Sequence, residues 1–205
     1  AKPDFEKFNA HTFIDPTRRF QSSRKTVFES KLDEEGKAEF QADFTVDQAP
    51  GPLNVKFLTK AFEPGGGYST GQKTMAYHPY QKYVGVHVPE GDERRGMLET
   101  DKKYDFSIAS LDTKGAQVES KVAVTIYRIR WRWWWHRSDD DLSDYAGELH
   151  EYRLKSDTLT VDGEASYEFS AGHYGRYLVR VCDLDGGHCA GKTFYVSGYY
   201  RHSDD

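Results

Sequence analysis

Apolar side chains fall at every second position in segment after segment of this chain, a period that fits half-buried strands and not amphipathic helices. In KAEFQADFTV (Lys37 to Val46), Ala38, Phe40, Ala42 and Phe44 share one face. KYVGVHVP (Lys82 to Pro89), YLVRV and AGKTFYV repeat the pattern. Turn chemistry separates such segments about every 8 to 15 residues, the rhythm of antiparallel sandwiches. Aromatics make up 15 % of the chain, with 14 Tyr and 12 Phe, while long aliphatic helix formers are scarce. Both features favour strands, and the expected fold class is all-β.

A length of 205 residues accommodates one large domain or two of ~100 residues each. The division expected here is residues 1–80 and 81–205. In the first unit, Phe5 to Phe13 forms a run ended by Asp15-Pro16, Lys37 to Val46 follows, and Leu53 to Phe62 with Tyr68 to Tyr77 reads as a hairpin closed by Pro64-Gly65-Gly66-Gly67. Fewer than the seven strands of a complete sandwich can be counted before His78-Pro79. The second unit offers Lys82 to Pro89, Tyr104 to Leu111, Val118 to Ile129, Glu148 to Leu154, Thr158 to Val161, Ser166 to Ser170, Arg176 to Cys182 and Cys189 to Val196. That is a full sandwich. With no Gly/Ser linker or charge run between them, the units are expected to abut stiffly. Leu-Asp-x-x-Gly occurs at Leu32 to Gly36 and Leu111 to Gly115; in each, the Asp starts a turn and the Gly supplies the positive φ that closes it.

Charge narrows the partners. Against 28 Lys+Arg stand 33 Asp+Glu, a net charge of −5, so the molecule repels polyanions except at a local patch; nucleic acid is not an expected partner. Mean hydropathy is −0.80 and no apolar run approaches the ~20 residues of a membrane helix. The opening AKPDFEKF lacks the apolar core of a signal peptide, as expected of a mature protein or an excised piece. Cys182 and Cys189 flank DLDGGH, and a turn centred on Asp185-Gly186 sets them opposite each other, within disulfide range. A bond there would place maturation outside the cytosol; two free thiols that happen to face each other is the alternative.

The most unusual stretch is YRIRWRWWWHR, Tyr127 to Arg137, in which all four tryptophans lie within five residues. Such a ribbon can stack on bases, grip a sugar, lie at a membrane surface or fill a core. Read as one strand from Val122 to Trp135, it places Thr125, Tyr127, Ile129, Trp131, Trp133 and Trp135 on one face, expected to stay in the core. Val124, Ile126, Arg128, Arg130, Arg132 and Trp134 share the other, which emerges into solvent or against a neighbour. Arg128, Arg130, Arg132 and Trp134 are therefore the candidate contact residues, where guanidinium planes beside an indole allow cation–π stacking. Tryptophans capping a sandwich core, with the arginines paired to Asp139, Asp140, Asp141 and Asp144, is one reading; a carbohydrate- or peptide-binding aromatic face is another.

No residue set points to catalysis. Asp139-x-Asp141-x-x-Asp144 carries oxygen ligands but lacks the Gly and terminal Glu of a calcium loop. The eight histidines are scattered, without zinc spacing. No nucleophile-elbow, P-loop or dinucleotide motif follows a strand. No cofactor, metal or enzymatic activity is expected.

FxxHTFIDP, KLDEEGKAEF, KAFEPGGGYST and HPYQKYVGV, followed by YRIRWRWWWHRSDDDLSDYAGELHEY and GHYGRYLVRVCDLDGGHCAGKTFYVSG, together resemble bacterial α2-macroglobulins over nearly the whole chain. The Tyr-x-x-x-Trp-x-Trp-Trp-Trp run and the Gly-Arg-Tyr-x-x-x-Val-x-Asp strand are the most specific elements. The resemblance implies consecutive macroglobulin-like, fibronectin III-type β-sandwiches acting as non-catalytic scaffold in a protease inhibitor that traps proteases by conformational change. It also implies flanking macroglobulin, bait-region and thioester domains as partners, target proteases met through the parent protein, and a periplasmic or cell-surface location, lipoprotein-anchored in many members. The chain has no Cys-x-Glu-Gln motif, so neither cysteine is a thioester cysteine, and Gly198-Tyr199-Tyr200 is similar to the stretch that precedes the bait region. A secreted adhesin or carbohydrate-binding sandwich is the reading from another class.

Overall fold

A computed structural model describes residues 5–43, 45–92, 94–129 and 153–198. The fold is all-β. Among the described residues the strands are β1 (Leu53–Phe62), β2 (Tyr68–Tyr77), β3 (Lys82–His87), β4 (Leu98–Glu99), β5 (Lys103–Asp112), β6 (Glu119–Ile129), β7 (Arg153–Asp162), β8 (Glu164–Ser170), β9 (Gly175–Asp183) and β10 (Cys189–Ser197), with one 3-10 turn at Glu6–Phe8.

β3 to β10 build a sandwich. One sheet has the order β3-β5-β8 and the other β4-β10-β9-β6-β7; pairing is antiparallel apart from the short parallel contact of β4 with the end of β10. Val84, Val86, Phe106, Ile108 and Phe169 of the smaller sheet meet Val122, Val124, Ile126, Val179, Val181 and Phe194 of the larger in one core. Burying each such side chain stabilises the fold by about 1.5 to 3 kcal/mol.

β6 faces the opposite way from expectation. Val122, Val124 and Ile126 point into the core, whereas Tyr127 and Ile129 pack with Leu178 on the outer side. Over Lys121 to Ile126 the valine-isoleucine face is wholly apolar and its opposite carries Lys121, Ala123 and Thr125, so burying the former gains more. Continuation of this strand through Arg130, Arg132 and Trp134, with all four tryptophans and the aspartates that follow, lies outside the described residues.

β1 and β2 form a separate two-stranded sheet in register from Leu53↔Tyr77 to Phe62↔Tyr68. The expected strands differ from the structure in three places, the first being that Leu154 and Thr158 to Val161, expected on separate strands, lie on the one continuous strand β7. The described part of Lys37 to Val46 forms no ladder, and Phe5 to Phe13 makes the 3-10 turn and a single bridge, Thr12↔Val86. Alternation fixes which side of a segment is apolar, but a strand also needs an adjacent backbone, and residues 37–43 have no ladder partner among the described residues. Phe40 instead stacks on Phe28 at 4.8 Å and meets Phe57 at 6.4 Å between centroids.

The two Leu-Asp-x-x-Gly turns have the same construction. Asp33 Oδ1 accepts from Glu35 N and Lys37 N, as Asp112 Oδ1 does from Lys114 N and Ala116 N. Gly36 and Gly115 close them at φ 75° and 81°.

Candidate functional site

Residues 5–18 run as a strap over the sandwich. Phe5, Phe8 and Phe13 cover Tyr83, Ala109 and Leu111 on the outer face of the smaller sheet. Gly85 is required there, because a Cβ would stand 2.5 Å from the Phe13 ring. Thr12 and Val86 then exchange both backbone hydrogen bonds, at 3.0 and 3.1 Å, and Gly191 N on β10 donates to Ile14 O at 2.9 Å. The strap thus passes from the edge of β3 to the edge of β10, reaching the outer face of the larger sheet. There Pro16 lies so close that a Cβ on Gly191 would come within 2.9 Å of its ring.

A buried polar joint pins this crossing. Asp15, fully buried, accepts from Arg180 Nε at 3.2 Å to each oxygen and from Arg180 Nη2 at 2.7 Å. Thr17 N and Oγ1 donate to the same carboxylate, and Arg18 Nε lies 3.4 Å from it. Burial alone would raise the pKa of Asp15, but the Arg180 hydrogen bonds and charge, with those from Thr17, outweigh it and hold the carboxyl below its ordinary value. Arg18 reaches further, to Tyr80 Oη at 2.6 Å, Ala49 O at 3.3 Å and Gly187 O at 3.1 Å.

His188 completes the joint from inside. Val84 N donates to its Nδ1 at 3.0 Å, so Nδ1 carries no proton, and Nε2–H donates to Phe13 O at 3.1 Å. The tautomer is fixed by a backbone donor on one side and a carbonyl on the other. Tyr80 and Tyr83 pack edge-on at 5.0 and 4.8 Å between centroids. Burial lowers its pKa to about 4, the nearby Arg18 charge acting in the same sense.

A second histidine fastens the strap on its other side. Ser107 Oγ donates to Glu164 Oε1 at 2.6 Å, which uses its only proton, so His11 Nε2–H donates to Ser107 Oγ at 2.8 Å. A hydroxyl that donates to the carboxylate and accepts from the imidazole cannot use that imidazole as its base, and the order differs from that of a nucleophilic triad. His11 Nδ1 is buried with no hydrogen-bond partner. A cavity of about 730 Å³ opens beside it, bordered by Phe8, Thr12, His87, Glu90 and Lys192.

Cys182 and Cys189 are directly paired in the β9–β10 ladder and joined by a disulfide, Cα to Cα 4.1 Å. Their turn is capped by Asp183, whose carboxylate accepts from Asp185 N and Gly186 N, with the positive φ at Gly187. Of the candidate contact residues, Arg128 is described: it donates to Tyr174 O at 3.0 Å beside Gly175. Arg130, Arg132 and Trp134 lie outside the described residues. Sequence reasoning missed Asp15, Arg18, Arg180, His11 and His188 as a set. Asp15-Pro16 reads as a turn and His188 as a hairpin residue, and nothing local ties Asp15 to Arg180.

Among the described residues no three His, Cys, Asp or Glu side chains are arranged to hold a metal ion, and no helix is long and apolar enough to cross a membrane. The joint's chemistry is mechanical: it ties segments distant in sequence into one seam.

No curated protein matches this chain. Among solved structures, it is similar to native Escherichia coli α2-macroglobulin, with a TM-score of 0.62 at 19 % identity over 96 % of this chain and 13 % of that one. The trypsin-activated form of that protein gives 0.62 at 18 % identity, again over 96 % and 13 %, and the elastase-activated form 0.57 at 16 %, over 97 % and 18 %. The chain thus spans a small part of the proteins it resembles, and the likeness establishes the fold. Residues 85–199 match the model of bacterial macroglobulin domain 6. With more than half of its length so matched, the chain belongs to the bacterial macroglobulin domain 6 family and thereby to the bacterial α2-macroglobulins.

Proposed function

We propose that this chain is a non-catalytic scaffold segment of a bacterial α2-macroglobulin-like protease inhibitor, which traps proteases by conformational change. The observation that carries the reading is the macroglobulin match over residues 85–199, which spans most of the sandwich that the strap and the Asp15–Arg180 joint fasten. A rigid module transmits displacement between its neighbours instead of absorbing it.

We infer two consecutive modules, residues 1–80 and 81–205, with residues 5–18 of the first clasping the second. Flanking macroglobulin, bait-region and thioester domains of the parent chain are the proposed partners, and target proteases are met through the parent. Arg128, Arg130, Arg132 and Trp134 are proposed as contact residues to a neighbouring domain. The Cys182–Cys189 disulfide supports a periplasmic or cell-surface location, since such bonds persist in oxidising compartments.

The test uses the parent protein purified from its own host. Adding a protease is expected to shift its mobility on a native gel and to leave the protease active on small substrates but not on large ones. A mobility unchanged after protease treatment, with large substrates still cleaved, overturns the trapping function.

A further inference from the structure

We propose that His11 and His188 form an acid-released latch, which holds residues 11–14 across the β3/β10 seam at neutral pH and lets them go as the medium acidifies. Both rings are wired for the neutral state by their partners. His188 Nδ1 faces the Val84 N–H while its Nε2–H is held by Phe13 O. A second proton would set two donors against each other, inside a wall of the Tyr80 and Tyr83 rings. His11 already spends Nε2–H on Ser107, so its added proton must enter at Nδ1, which is buried without an acceptor.

The surrounding charges divide between the two rings. Around His11 stand His87 on β3, its ring centroid 5.7 Å away, and Glu164 on β8 behind Ser107; Glu90 and Lys192 border the same cavity. His87 opposes a charge on His11 and Glu164 favours one, but burial is the largest influence and the net shift is downward. Around His188 stand Arg18, which opposes its charging, and Asp15, which favours it; burial again dominates.

Both histidines fasten the same short stretch. His11 and Phe13 flank Thr12, whose reciprocal bonds to Val86 hold the strap on β3. Charging either ring therefore loosens one attachment, and charging both removes the side-chain ties on either side of the Thr12 bridge. Release would lift Phe13 from Gly85 and Tyr83, uncovering apolar surface and widening the cavity beside His11.

Hydrogen–deuterium exchange on the full chain between pH 7.5 and 5 tests this, expressed as protection factors so that the intrinsic pH dependence of exchange cancels. Thr12, Val86 and Gly191 amides report the strap, and Val124 and Val181 report the sandwich. Strap protection is expected to fall by up to about 30-fold at pH 5 from His188 alone, the ratio set by an ordinary value of 6.5 against about 4, while Val124 and Val181, which exchange only when the sandwich unfolds, remain the better protected at every pH. His11→Gln and His188→Gln, which cannot take up the proton, are each expected to flatten the profile. The proposal fails if strap protection persists to pH 5, if the strap amides are as well protected as Val124 and Val181 at every pH, so that the strap opens only with the sandwich, or if neither variant changes the profile.

Discussion

Asp15 and Arg180 are an ion pair whose worth lies in being complete. Asp15→Ala leaves the Arg180 guanidinium mostly enclosed with no counter-charge, and removing one partner of such a pair costs about 3 kcal/mol. The denaturation midpoint of Asp15→Ala should fall accordingly, while Asp15→Asn combined with Arg180→Met should lose less than the sum of the two single changes. Acid acts on the same joint. Asp15 is held below its ordinary value, so the unfolded chain takes up a proton before the folded one does. Its stabilisation is intact above the ordinary carboxylate range and is lost as pH falls through and below it. For His188, lowered to about 4 from 6.5, stability is complete above about pH 6.5 and declines by up to about 3 kcal/mol on the way to pH 4. Thermal melts in a pH series, compared with His188→Gln, check this; a wild-type melting temperature flat from pH 7 to 5 contradicts it. None of this was legible in the sequence, because the two ends of the pair are separated by 165 positions and what identifies them is the crossing of the strap, which no local pattern encodes.

At the level of elements, legibility followed the turns and the ladders. The hairpin β1–β2 lies where the flanking alternation and the Pro-Gly-rich turn place it, and the Leu-Asp-x-x-Gly turns form because a carboxylate one turn before a glycine satisfies two backbone donors wherever it occurs. Residues 5–13 were misread as a strand because spaced phenylalanines mark an apolar side without revealing that a 3-10 turn at Glu6–Phe8 delivers them. The strap's fit makes a sharp prediction: Gly85→Val drives two branches into the Phe13 ring, and overpacking of this kind costs about 1 to 3 kcal/mol. The expected readout is faster exchange at Thr12 with β6 and β9 unaffected; unchanged exchange would mean that Phe13 has room to move. The Cys182–Cys189 bridge closes a short loop with a sequence separation of 7, for which chain entropy gives about 2.5 kcal/mol. Cys182→Ser with Cys189→Ser should lower stability by no more than that, because the β9–β10 ladder continues for several residues beyond it, and a loss twice as large would show the bond to be holding the Arg18 joint as well.

For the molecule as a whole, the contrast between its two parts is what calls for explanation. The sandwich of β3 to β10 buries a continuous core, whereas β1–β2 presents Leu53, Val55, Phe57, Met75 and Tyr77 on one face of a two-stranded sheet, with Met75 48 % exposed and Phe28 and Phe40 also exposed nearby. Two strands alone are at best marginally stable in water, so an apolar face of this kind needs a cover. In the proposed two-module arrangement, the cover is further strand structure of the parent chain's first module. Limited proteolysis of the 205-residue chain should then cut first between residues 20 and 77, leaving a resistant product that begins near the start of β3, and the same region should resist cleavage within the full parent. The strap complicates the isolated chain in an instructive way, because its residues 5–18 are bonded to the sandwich through Asp15, Thr12 and Ile14. After a cut in the intervening segment they should remain attached without a covalent link and separate on denaturation. A resistant 20–77 region in the isolated chain would mean that β1–β2 finds its cover within these 205 residues, and the two-module division would have to be redrawn.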